Sequence, residues 1–460
     1  MTGKYFIIFL LTLFLHKAVT SQLLTDSVKS VASQEFSDPS LLKKIFLGSN
    51  YRKEWATPVK MPVFYLKTDK HNFKIDRMGG GHQTTSLYLK DSGGKEWVLR
   101  SVDKKVKKDL VRGIFRMPFI LKMIQDLVST AYPYGSLSIP DLSNATGTLA
   151  GTHELYFVPD DPDFGEHRKD MANRAFILID LHPTGEIDLE TNEMIEKLKE
   201  SNEYLVDQKE VLQSRLLDWL IADWDRHEGQ LRWLQKDSAE RKWFYPLPRD
   251  RDQAFAQSDG LFVKFVGSTF MPFLRGFGKK STGIRQLSKK IDSLDHAFLN
   301  RLEKSDWENI IADFQSNLTD SVIESAIKKQ PEEIYSIREQ KIVDKLKSRR
   351  DGLLKNAMKY YSFLAREVTV KSSAKAEFFK ITGYKDKTLV TVYDYSKGDT
   401  SEIIYSRSFD PAETRIIYIL ENGVDKILQE GELNKIKIVV RSSDRKKEYV
   451  LTGNAGIRDE

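Results

Sequence analysis

The chain has 460 residues, 40% of them hydrophobic and 11% aromatic, enough for a sizeable core and too long for one ordinary domain. Its 72 lysines and arginines against 66 aspartates and glutamates give a net charge of +6, a weak attraction for anions; with no nucleic-acid-binding motif beside it, we set nucleic acid aside. The absence of cysteine excludes disulfides, thiolate-bound zinc, thiol nucleophiles and a lipid-anchored cysteine.

Lys4 precedes an almost unbroken apolar run over residues 5–15, followed by Ala18, Val19, Thr20 and Ser21, small residues where a signal peptidase cuts. The run is well short of the roughly 20 apolar residues a membrane span needs. Residues 1–21 are therefore expected to be a signal peptide cleaved before Gln22. No second run reaches spanning length, so the expectation is an exported chain with no transmembrane span. It would reside in the periplasm, at the outer membrane or outside the cell, and its lack of cysteine suits a bacterial envelope.

Residues 22–60 are polar and mixed, an N-terminal segment before the first patterned domain. β-type runs then appear at 63–66, 86–89 and 97–99, with glycines at 79–81 and a hairpin signal in Gly93-Gly94. Phe115, Phe119, Ile120, Met123, Ile124 and Leu127 stand at helical spacing, and β-type runs return at 155–158 and 175–179. Residues 61–189 thus read as a mostly antiparallel sheet with one principal helix. Residues 190–365 read as helical: Leu205, Leu212, Leu216, Trp219 and Leu220 line one face of a helix that ends before Asp223. Further stripes follow at Phe298 and Leu302, at Trp307, Ile310 and Phe314, and at Ile342, Leu346 and Leu353. Residues 366–460 alternate again and read as a separate all-β domain, a sandwich or a solenoid. The fold class is α+β.

The chemistry concentrates in two acidic loops. Residues 217–230 run from an apolar helix into Asp223, Asp225, Arg226, His227 and Gln230; twenty residues later Arg249, Asp250, Arg251 and Asp252 precede Ala254 and Phe255. Trp233, Trp243, Phe244 and Tyr245 between them suit a hairpin that returns the chain to the same place. Two such loops can hold a divalent ion and leave one carboxylate free as a base. Structurally, Arg226, Arg249 and Arg251 would also serve to neutralise the acids.

The segment Asp223-Trp224-Asp225-Arg226-His227 resembles the catalytic loop of atypical kinases: phosphatidylinositol kinases, HipA-like kinases and secretory-pathway kinases. The segment Arg249-Asp250-Arg251-Asp252-Gln253-Ala254-Phe255 is similar to the metal-binding segment of the CotH kinases. The resemblance implies a bilobal protein-kinase-like domain, with a β-rich N-lobe at 61–189 and a helical C-lobe at 190–365, before the small β-domain. It implies that Asp225 accepts the proton of a substrate hydroxyl, with Arg226 and with His227 in support. Asp250 or Asp252 would ligate Mg2+ (or Mn2+), with Gln230 where the family has asparagine. Gly79, Gly80 and Gly81, with His82 beside them, stand where the phosphate loop belongs. Arg100 stands in place of the phosphate-pairing lysine, with Lys104 as a fallback, and Asp126 is the expected acid to orient that cation. Residues 180–182 would form the adenine-holding hinge.

A looser similarity extends to uncharacterised envelope proteins of Bacteroidetes-type bacteria, in which the stretches at 79–84, 98–104, 223–227 and 248–255 recur together. The resemblance implies ATP as cofactor and transfer of phosphate to a hydroxyl of an envelope protein, lipid or glycan. Two alternatives stay open: a pseudokinase that acts as a binding or assembly module, with a surface partner on the C-terminal β-domain, and a metal-dependent phosphohydrolase.

Overall fold

Period-two alternation in the first half becomes sheet. The computed structural model describes residues 26–79, 83–106, 113–186, 188–238, 241–269, 276–281, 283–423, 425–432, 434–442, 448–451 and 456–459. The expected signal peptide and Gly80, Gly81 and His82 lie outside the described residues. Strands β1 (Ser27–Ser30) and β2 (Val59–Pro62) form an antiparallel ribbon. Beyond it lies a five-stranded sheet of β3 (Lys74–Gly79), β4 (Ser86–Lys90), β5 (Glu96–Ser101), β6 (His153–Val158) and β7 (Arg174–Asp180). Its order is β3-β4-β5-β7-β6 and every pairing is antiparallel. In β7 the alternation sends Phe176 and Leu178 into an outer core with Leu87, Leu99 and Phe164, and Ala175 and Ile177 into the main core. The β4–β5 hairpin closes as expected on Gly94, whose φ of 83° suits only glycine at no cost and whose N–H donates to the Asp91 carbonyl at 3.0 Å.

Two expectations for this half are corrected. The run at 63–66 is no strand: β2 stops at Pro62, Val63 makes one isolated bridge to Phe157, and Phe64 and Leu66 turn into the outer core. Residues 26–60 are built into the main core through Phe36, Tyr51 and Trp55. The indole N–H of Trp55 donates to the Ala131 carbonyl at 2.9 Å, and the Tyr51 hydroxyl to that of Phe255 at 2.7 Å.

A second sheet, ordered β8-β10-β11-β9, comprises β8 (Asp188–Glu190), β9 (Tyr204–Val206), β10 (Leu231–Ser238) and β11 (Arg241–Pro248). The expected hairpin is β10–β11, in register from Leu231 with Pro248 to Ser238 with Arg241. The helix before it begins later than its apolar stripe suggests. Asp207 caps Gln208–Ile221 by accepting the Glu210 amide at 2.9 Å, so Leu205 belongs to β9. Six more helices follow between Ile284 and Leu364, of which Lys304–Asn317, Glu332–Asp351 and Leu353–Leu364 pack against it, with Trp219 stacked on Trp307 and edge-on to Tyr360.

The C-terminal strands are β12 (Glu367–Lys371), β13 (Glu377–Gly383), β14 (Thr388–Asp394), β15 (Ile403–Phe409), β16 (Ile416–Glu421), β17 (Lys426–Gly431), β18 (Lys437–Ser442), β19 (Glu448–Val450) and β20 (Gly456–Asp459). They form two sheets, β12-β16-β18-β19 and β15-β14-β13-β17-β20. Val370, Ile417 and Ile438 of one sheet and Phe379, Val390 and Ile427 of the other share one apolar core, so this part is a sandwich and not a solenoid. Among the described residues, no helix is long and apolar enough to cross a membrane.

Candidate functional site

The helix Gln208–Ile221 ends at Ala222, whose left-handed backbone (φ 56°) turns the next residues across the helix terminus. Asp223 stays buried and accepts the Asp225 amide at 3.2 Å. Arg226, fully buried, donates to Asp218 at 3.0 Å, to Asp223 at 3.0 Å and to the Arg249 carbonyl at 2.6 Å. Arg215 and Arg251 donate to the same Asp218 at 2.7 and 2.9 Å. Burial pushes the Asp218 carboxyl up, but Arg226, Arg251 and Arg215 outweigh it and hold the group well below the usual range. Asp223, equally buried, is pushed up. The sequence pattern groups Arg226 with the catalytic residues; in the structure it belongs to this buried cluster and positions the loop instead of facing the cleft.

The second acidic loop is stitched to the first. The Arg249 amide donates to the Gln230 carbonyl at 2.8 Å, and the Phe255 amide to that of Ile221 at 2.9 Å. Asp250 (φ 56°) and Phe255 (φ 63°) both occupy the left-handed region, at a cost on the order of 1–3 kcal/mol each for non-glycine residues. The strained loop aims two carboxylates at the end of β5. Asp250 forms an ion pair with Arg100; Asp252 accepts from Lys104 Nζ at 2.7 Å and from Gln253 Nε2 at 3.0 Å. Both acids keep about a quarter of their side chains exposed, 28% and 26%. Burial and the charge of Asp252 push Asp250 up despite Arg100, whereas Lys104 and Arg100 overcome burial and hold Asp252 low.

These groups line one cavity of about 720 Å3, with Lys104, Asp225, Gln230, Asp250, Asp252 and Lys290 on its wall. A neighbouring cavity of about 370 Å3 runs beneath the five-stranded sheet, lined by Val98, Ile179, Leu181, His182 and Leu247, and shares Gln230 and Asp250 with the first. Asp225, Asp250, Asp252 and Gln230 thus converge from two loops, and Arg100 on β5 and Lys104 in the loop just beyond it meet them. Lys290, which the sequence reasoning missed, forms an ion pair with Asp225 and stands 4.8 Å from the Trp224 ring centre. It lies 65 residues beyond its partner, in a stretch of mixed helices with no motif to mark it.

The other predicted positions fall differently. His227 Nδ1 accepts the Gly229 amide at 3.2 Å, a turn-stabilising bond at the cavity edge. Gly79 is the β-partner of Ser86, so close under the Tyr88 ring that a Cβ would meet its Cε2 at 2.4 Å. The described residues of that stretch that reach the cavity are Gln83 and Thr84. Asp126 does not orient Arg100 or Lys104: it is buried against Arg52, whose Nη1 donates to it at 2.9 Å, and also pairs with Lys43. At the expected hinge, the Leu181 amide donates to Glu96 at 3.2 Å and its carbonyl accepts from Arg249 at 2.9 Å, so both polar edges of that residue are engaged within the protein.

Among the described residues, no three His, Asp or Glu side chains cluster as an all-protein metal cage. Two carboxylates beside two cations match the other common design for magnesium, in which one or two acids share the ion with substrate phosphates. Asp250 and Asp252 would hold such an ion, with the side-chain carbonyl of Gln230, which also accepts from Arg226 Nη1 at 3.4 Å, on the same cavity wall.

No protein-family model matches the chain, and no curated protein matches it. Among the solved structures that it resembles is the Helicobacter pylori proinflammatory kinase CtkA, at 13% identity over 60% of this chain and 95% of that one, with a TM-score of 0.32.

Proposed function

We propose that the chain is an atypical kinase-like phosphotransferase that binds a nucleoside triphosphate with magnesium or manganese and passes phosphate to a hydroxyl of an envelope component. The observation that carries this is the meeting of Asp225, Asp250, Asp252 and Lys104 on one cavity wall, contiguous with a second cavity beneath the sheet whose lining is largely charged, with an apolar strip of Val98, Ile179 and Leu247. That cavity, between Val98, Ile179 and Leu247, suits a flat base; Arg100 and Lys104 suit its phosphates. A divalent ion held by Asp250 and Asp252 would neutralise charge on the transferred group. Asp225 would take the proton of the acceptor hydroxyl as its oxygen bonds to the terminal phosphorus and the nucleoside diphosphate leaves. Lys290, paired with Asp225, would present its charge to the same phosphoryl oxygens.

A second reading, a nucleotide-binding or assembly module without transfer, is favoured by the same ion pair, which occupies the proposed base, and by the engaged edges of Leu181. Incubation with γ-labelled ATP, magnesium and envelope fractions separates the two. Label transferred by the native chain and lost in Asp225→Ala supports the phosphotransferase; nucleotide binding without transfer supports the module. Export rests on residues 1–21 alone, and the C-terminal sandwich is the surface we assign to a further envelope partner.

A further inference from the structure

The helix Leu41–Leu47 has the sequence Leu-Leu-Lys-Lys-Ile-Phe-Leu and no buried residue. Leu41, Leu42, Ile45 and Phe46 are left exposed, so these side chains add little to the apolar burial that holds the fold. The helix packs against two others, Pro118–Leu127 and Leu261–Thr269. Its junction with the latter is tight: a Cβ on Gly260 would meet the Leu47 carbonyl carbon at 2.4 Å and the Phe46 oxygen at 2.6 Å. Asn50 and Asp259 lock the junction by reciprocal amide bonds of 3.1 and 3.3 Å.

The three helices gather the exposed apolar surface. Of the thirteen large hydrophobic side chains exposed among the described residues, nine lie on these helices or at the Met117 cap, which makes this a patch and not a scatter. Leu41 is 73% exposed, Leu42 67%, Phe119 77% and Leu261 59%. The exposed charges on the three helices themselves are positive, with Asp259 at the junction engaged by the Asn50 amide. Lys44, Lys122 and Lys264 are exposed among the apolar groups, and the helices' sole acid, Asp126, is buried against Arg52 and Lys43. Apolar side chains ringed by lysines are the surface chemistry of a helix that lies in a lipid interface. The patch also continues into the cleft, where Ile124 and Leu127 of one helix and Val263 of another line the cavity that holds Asp225.

We propose that this three-helix face docks on an anionic phospholipid surface and holds the mouth of the cleft against it. The acceptor is then a hydroxyl carried by a lipid or a lipid-anchored molecule, whose apolar part lies along Ile124, Leu127 and Val263. The acceptor assignment rests on the proposed phosphotransfer; the docking does not.

The test is flotation of the full chain with vesicles of phosphatidylcholine alone and of phosphatidylcholine mixed with phosphatidylglycerol. A Leu42→Ser/Phe119→Ser/Leu261→Ser variant, checked for native circular dichroism, runs beside it. Residues 5–15 are themselves apolar, so the result is read from the difference between the two proteins. Docking predicts flotation with the anionic vesicles that weakens in salt and falls by roughly a hundredfold in affinity in the variant, while ATP-induced thermal stabilisation is unchanged. Equal flotation of both proteins overturns it, as does a stable dimer that the variant breaks while neither protein binds vesicles. Flotation without any nucleotide effect keeps the docking and removes the phosphotransfer, and the converse result does the reverse.

Discussion

The Arg249 amide donates 2.8 Å to the Gln230 carbonyl, and this bond joins the loop of Asp250 and Asp252 to the loop of Asp225. With Arg226 anchored on both the Arg249 carbonyl and Asp218, the two loops form one buried frame that places three carboxylates around a shared cavity. Residues of the frame and residues on the cavity wall therefore fail in different ways when substituted.

Asp225→Ala removes the proposed base and leaves Asp250, Asp252 and Lys104 in place. Transfer of phosphate should fall roughly a hundred- to ten-thousandfold, with nucleotide affinity within a few-fold of native. Single-turnover transfer and equilibrium binding, measured on the same preparation, check the split.

Asp218→Asn strikes the frame. One neutralised carboxyl leaves Arg215, Arg226 and Arg251 short of their common buried partner, a change expected to destabilise by about 3–5 kcal/mol. Urea unfolding should show the loss. Asp252→Asn, at a partly exposed position, should shift the same curve by no more than about 1 kcal/mol.

The pair Lys104 and Asp252 is expected to be coupled. Lys104→Met and Asp252→Asn should each weaken binding of the magnesium–nucleotide complex. The double variant should lose less than the sum, with an interaction of about 1–2 kcal/mol in a double-mutant cycle. Strict additivity would mean that the 2.7 Å contact does not tie the two groups during binding.

Glu377, buried at the edge of the sandwich, accepts from the Ser373 amide at 2.9 Å and has its carboxyl pushed by burial from the usual 4.5 up to about 7. A carboxyl raised on folding stabilises the folded state fully below the lower value, and that stabilisation is lost as pH rises through the upper one. Stability should therefore decline between about pH 4.5 and 7 by an amount on the order of 1–3 kcal/mol attributable to this residue. Glu377→Gln should flatten the decline, as read from melting temperature against pH.

Four of the five strands of the first sheet were legible because half-buried strands alternate and Gly93-Gly94 marks the β4–β5 turn; β3 was not, and the β10–β11 hairpin was read from its aromatic residues between two acidic loops. The two acidic loops were legible because a buried helix running straight into Asp, Arg and His is followed at short range by a second Asp-rich loop, a combination more specific than either loop alone. What composition concealed is the burial of charge. Residues 26–60 look polar, yet Arg52 and Glu54 are buried, and Asp126 pairs with Arg52 in place of the cation on β5. Asp218 looks like one polar residue in an apolar helix, although three arginines from separate positions converge on it. Lys290 meets Asp225 through tertiary packing alone, for which no local spacing exists.

The central claim is that the cavity holds a metal–nucleotide complex through Asp250 and Asp252. Isothermal titration of the native chain with ATP in magnesium, repeated in EDTA and with Asp252→Ala, tests it most directly. The expected result is saturable binding in magnesium, weakened at least about tenfold by EDTA or by the substitution. Absence of binding in magnesium, or equal binding by Asp252→Ala, would contradict it.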